Sequence, residues 1–114
     1  MEKDRSRLVH INECIHNIQR YALKGLGQFM STPMVQEAVL WNLQLICAAA
    51  SEVSETRKRV HPQVDWDHTC NMFRELVPDP WEPDLEQVWR CVEAELPALE
   101  RKIQTILRLG AERA

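Results

Sequence analysis

Glycine is scarce in this chain, with three residues in 114, and strand signals are missing altogether. A sheet has nothing to build on without alternating runs bounded by turn residues. No apolar stretch approaches the ~20 residues that cross a bilayer. The opening MEKDRSRL is charged and lacks the apolar segment of a secretory signal. Cysteines stand singly at 14, 47, 70 and 91 with no Cys-x-x-Cys pair, which argues against a disulfide framework and for core thiols of a reducing compartment. These absences predict a cytoplasmic protein. Positive charge is not in surplus either. A net charge of −3 supplies no general attraction to nucleic acid or anionic membrane, so any RNA contact needs a local patch. There is no Gly-rich phosphate loop and no nucleophile elbow. No cofactor is implied.

What is present is helical. Apolar residues make up 45% of the chain, and Leu, Glu, Ala and Arg are abundant, which favours helix over sheet. The length fits one domain over 1–114. Leu8, Ile11, Ile15, Ile18 and Ala22 recur at spacings of three and four, with Cys14 and Tyr21 beside them. They predict an amphipathic helix over 5–24, ended by Gly25 and Gly27. Ser31-Thr32-Pro33 offers a hydroxyl cap and a first-turn proline for the next helix. Its body, VQEAVLWNLQLICAAA over 35–50, is apolar on so many sides that more than one neighbour must cover it, from the same chain, a second copy, or both. Ser54 and Asp65 are cap candidates for two further helices, and the second runs to about Leu76. Asp84 with Gln87 has capping-box spacing. The stripe Leu85, Val88, Trp89, Val92 and Leu96 then leads to Pro97, which either kinks the helix or begins a new one. Leu99, Ile103, Ile106 and Leu107 continue it, and Gly110 marks the end. The sum is an all-α, four- to five-helix up-down bundle.

Chemistry is harder to find. His10 and Cys14 have two-ligand helical spacing, but His68 and Cys70, two apart, point away from each other. Histidines beside core thiols explain both pairs without a metal. Arg57, Lys58 and Arg59 are the one concentrated positive patch. They are a candidate RNA-binding patch or simply a solvated face.

The most peculiar stretch is VPDPWEP at 77–83. Pro78, Pro80 and Pro83 place half of the six prolines within six residues. Proline fixes φ, removes a donor and pushes its predecessor out of the helical region, so the loop is stiff and belongs to neither flanking helix. Trp81, displayed there, is a candidate partner anchor or folds back on its own bundle.

The order of parts resembles a known family. The residues that carry it are Met34 to Val39 (MVQEAV), Asn42-Leu43, His61-Pro62, Trp66, Asp84, Val88-Trp89 and Leu96-Pro97. Together they resemble the HepT-like proteins, HEPN-fold ribonuclease toxins paired with minimal nucleotidyltransferase antitoxins. The resemblance implies a homodimer and a metal-independent Arg-x4-His-x-Tyr site at the end of the third long helix and its loop. There a histidine moves the proton of a ribose 2′-hydroxyl while an arginine holds the phosphate. The tyrosine is what the nucleotidyltransferase partner modifies in such systems.

Set on this chain, the motif falls apart. Anchoring on Asp84 and Val88-Trp89 puts Phe73, Pro78 and Pro80 at the arginine, histidine and tyrosine positions. Sliding by one residue recovers Arg74, but then Asp79 and Trp81 stand at the other two. The family's second-helix pattern Arg-Asn-Leu-Glu-x-x-Gly-Glu reads Trp41-Asn42-Leu43-Gln44-Leu45-Ile46-Cys47-Ala48 here. Charged groups that would line a groove become apolar, and Trp41 is expected to fill the space or bind a partner. Two readings with a specific function follow, beside a third of a purely structural dimer anchored by Trp81. One is a HepT-like protein of a toxin–antitoxin-type module that lacks ribonuclease activity and acts by dimerising and binding a nucleotidyltransferase-like or other HEPN partner. The other is a ribonuclease with a relocated site drawn from His68, Arg74 and Asp79.

Overall fold

The computed structural model describes residues 2–113, and every regular element among them is a helix. Helix α1 spans Glu2–Tyr21, α2 Leu26–Ser31, α3 Pro33–Ser51, α4 Glu55–Val60, α5 Trp66–Leu76, α6 Leu85–Arg90 and α7 Leu96–Arg113. A π turn over Cys91–Glu95 joins α6 to α7, so 85–113 is one continuous rod. At 1.5 Å per residue the rod is roughly 43 Å long, which accounts for the 45 Å long axis of a molecule 26 by 20 Å across. The bundle is therefore α1, α3, α5 and this rod, with α2 and α4 as short connectors.

Side-chain pairs fix the directions. Asp4 of α1 reaches Ser54 beyond the end of α3, while Asn17 meets Asn42 in its middle, so α1 and α3 are antiparallel. Arg5 bonds Leu107, Asn12 meets Gln104, and Gln19 bonds Glu100, so α7 runs against α1. Met72 touches Cys91 and His68 touches Glu95, so the rod also runs against α5. This is the expected up-down arrangement.

The stripes meet at its centre. Leu8, Ile11, Ile15 and Ile18 of α1 are fully buried, as are Val39, Leu43 and Ile46 of α3 and Val88, Leu96 and Ile103 of the rod. Phe29 of α2 packs on Trp89 at 5.3 Å between ring centroids. Caps act where expected: Ser54 accepts from the Arg57 N–H, Asp65 from His68 and Asp84 from Gln87.

Several boundaries differ from expectation. Helix α1 stops at Tyr21, and Gly25 carries the turn at φ +90°, a conformation that favours glycine. Gly27 ends nothing, because it lies inside α2. Thr32 precedes α3 without a side-chain cap bond, and the Ser31 hydroxyl donates backwards to the Gly27 carbonyl at 2.9 Å. Gly110 does not stop α7, whose assigned end is Arg113. Pro97 sits in the first turn of α7, where a missing N–H is tolerated, and the widened π turn just before it absorbs the adjustment. Helix α3 is covered by α1 and α5, while Met34, Trp41 and Leu45 remain exposed.

Candidate functional site

The end of α5 and the loop after it are where the resemblance puts catalysis. Asp65 starts the helix, its Oδ1 accepting from the His68 N–H at 3.0 Å, while the Thr69 hydroxyl donates to the Asp65 carbonyl. The helix closes at Leu76, with Val77 buried as its final cap. Pro78 forbids a further turn. Phe73 is half-buried and packed against the core, and its N–H donates to Cys47 Sγ at 3.2 Å. Phe73, which the resemblance sets at the arginine position in one register, thus packs inward. Pro78 and Pro80 are exposed rings with no proton to transfer. Asp79 is held by its own loop: its Oδ1 accepts from the Trp81 N–H at 3.0 Å, and its carbonyl accepts from Glu82 at 3.1 Å. That turn presents Trp81 at 92% exposure, so the indole does not fold back onto the bundle.

One titratable cluster lies on this side of the molecule. His68 is half-buried between two carboxylates, with Nδ1 2.9 Å from Glu75 and Nε2 3.2 Å from Glu95. Hydrogen bonding to Glu95 leads in pushing its pKa up, opposed by burial and helped by the Glu95 charge and by Glu75. Cys91, whose thiol is pushed up chiefly by burial and then by Glu95, places its Sγ 3.5 Å from the same Glu95 oxygen. Glu75 was not singled out from sequence, although it lies seven residues beyond His68, two turns along one face. Arg74 is exposed at the last turn of α5. His68, Arg74 and Asp79 therefore share a region, but His68 bonds the two glutamates and Asp79 bonds its own turn.

The other sequence candidates fare differently. Lys58 pairs with Glu55 at 3.7 Å and approaches Cys70 Sγ at 3.9 Å, Arg57 is half-buried, and only Arg59 stands fully exposed. The triplet is thus not three equivalent surface cations. Trp41 does not fill a groove, because it is 60% exposed on α3. A groove of about 440 Å³ does run between α1 and α3. Leu45, Ala48 and Ala49 line the α3 side beside the polar Asn42 and Glu52, and Arg7, His10, Glu13 and Asn17 make the α1 side polar. His10 and Cys14 both line it, and Arg7 is tied to Glu52 at 3.3 Å. Among the described residues no three His, Cys, Asp or Glu side chains converge as metal ligands.

The molecule is an all-α up-down helical bundle in which α5 ends on an inward-packed Phe73 and a proline loop. The chain belongs to the ribonuclease HepT-like family, whose model matches residues 11–106. It is 25% identical, over 95% of its length and 97% of the relative's, to a Caldanaerobacter subterraneus protein named "Putative RNase". It is 26% identical, over 87% of its length and 91% of the relative's, to "Probable ribonuclease HepT" of Thermococcus cleftensis. No solved structure matches it.

Proposed function

We infer that this HepT-like chain does not cleave RNA and works through binding, by self-association and by docking to a nucleotidyltransferase-like partner in a toxin–antitoxin-type module. The observation that carries this reading is the composition of the helix end. Phe73 is packed on the core, and Pro78 and Pro80 supply neither a general base nor a modifiable hydroxyl. The exposed apolar groups supply the other half. Met34 is 77% exposed, Trp41 60% and Trp81 92%, and tryptophan on a rigid support is what interface hot spots use.

A relocated ribonuclease centred on His68 meets an electrostatic objection. A phosphodiester approaching that imidazole faces Glu75 and Glu95 at hydrogen-bond distance from it, and like charges repel. Asp79, its proposed companion, is engaged by the Trp81 N–H.

Incubating the purified protein with single-stranded RNA tests both readings. The expected result is no cleavage above a mock purification. Cleavage that survives repurification and disappears in His68→Ala would establish the relocated enzyme instead. Recovery of a nucleotidyltransferase with the tagged chain from its native cell would support the docking half.

A further inference from the structure

A neutral imidazole has one N–H and one lone pair, whereas an imidazolium has two N–H groups. Both ring nitrogens of His68 face carboxylate oxygens, at 2.9 Å to Glu75 and 3.2 Å to Glu95. Carboxylates are acceptors only, so both contacts are attractive together only when the ring is protonated. Deprotonation turns one of them into a lone pair facing an anion.

The position of this bridge gives the consequence. Glu75 is on the last turn of α5, one residue before Leu76 and the proline loop. Glu95 is the last residue of the π turn that joins α6 to α7. The described side-chain bonds between α5 and that turn are His68 to Glu95 and Cys91 to Met72. The second is a thiol–thioether contact at 3.7 Å between weak partners. Beside the bridge lies a cavity of about 170 Å³ lined by Asp65, His68, Met72, Glu95 and Lys102 among others, so α5 and the rod are not tightly packed there.

We propose that His68 is a protonation-controlled latch that fastens α5 to the π turn, closed when the imidazole is charged and loosened when it is neutral. The groups facing the ring are Glu75 on α5, Glu95 on the π turn and, across the cavity, Asp65 of the α5 cap and Lys102 of α7. The single Cys91 S–H lies 3.5 Å from the same Glu95 oxygen and 3.7 Å from Met72 Sδ, so it serves one of them at a time and holds neither firmly. Because the pKa of His68 is pushed up, the charged, closed form persists above the usual histidine range and gives way as the pH rises further. This device is independent of whether the protein cleaves RNA.

Amide hydrogen exchange between pH 6 and 8.5, corrected for intrinsic rates and normalised to the core of α1, tests the latch. In the unmodified protein, protection over 91–96 falls by about threefold or more across that range. In Glu95→Gln the amide N–H donates to the lone pair of the neutral ring while Nδ1–H still serves Glu75. That variant keeps its protection at high pH and shows a flat profile. A flat profile in the unmodified protein, or the same pH dependence in Glu95→Gln, overturns the proposal. The His68→Gln variant, which cannot titrate, serves as the pH-independent baseline, and a pH dependence surviving in it overturns the proposal as well.

Discussion

Asp4 is a buried carboxylate that ties the first turn of α1 to the chain beyond α3. It is 4% exposed, and its carboxylate accepts the Ser54 N–H at 2.9 Å and the Ser54 hydroxyl at 2.7 Å. Burial alone would raise its pKa, but the two Ser54 bonds, helped by nearby positive charge, outweigh burial and hold it below the usual carboxylate value. A folded-state pKa that is depressed stabilises the protein above the unfolded-state value, and this contribution disappears as the pH falls through the folded value. Asp4→Asn is expected to cost about 1–3 kcal/mol at pH 7. In urea titrations the gap between the two proteins should begin to narrow at about pH 4, where the unfolded-state carboxyl takes up its proton, and go on narrowing until the pH falls below the depressed folded value. A gap that stays constant down to pH 2 would assign the loss to packing rather than to charge. Sequence reading did not reach Asp4, because its partner lies 50 positions away.

At the scale of elements, the caps were the most legible feature. Ser54, Asp65 and Asp84 each accept from the N–H three residues on, a bond that depends on local chain geometry alone. Asp65 serves a helix of only 11 residues, which is too short to hold itself together in water. Asp65→Ala should therefore destabilise the protein by about 1 kcal/mol, measured by chemical denaturation, with hydrogen exchange rising first in the opening turn of α5. Glycine was the less reliable signal. Gly27 and Gly110 both lie inside helices, because favourable neighbours and packing outweigh a propensity cost of about 1 kcal/mol. The π turn was not legible either. Pro97 announces a disturbance, but where the extra width is placed depends on how Cys91 and Val92 seat in the core.

For the molecule as a whole, one side of α3 stays uncovered. Met34, Trp41 and Leu45 share an exposed stripe, and Glu37 is the one charged residue on α3 before Glu52. If the protein self-associates through this face, Trp41→Glu should weaken the association by about 2 kcal/mol or more. The stability of the fold should stay within about 0.5 kcal/mol of the parent, because the side chain is already outside the core. Light scattering across a dilution series, paired with thermal melts, separates these two effects. Association that is unchanged in Trp41→Glu moves the interface elsewhere, and the Trp81 loop is the next surface to test.

The sequence by itself determined the helices, their caps, the stripes that became the core and the stiff loop at 77–83. Each of these follows from neighbours three or four residues apart or from the ring of proline, so local order is enough to read them. It also carried the family resemblance, which in one register sets Phe73, Pro78 and Pro80 at the motif positions it implies. Tertiary structure alone decided that Phe73 packs inward, that Trp41 stands exposed on α3, that Asp4 clamps Ser54, and that His68 lies between Glu75 and Glu95. The Glu95 contact spans 27 positions, and no periodicity encodes such a meeting. It exists because the rod folds back along α5 and the π turn sets the angle at which Glu95 meets the ring.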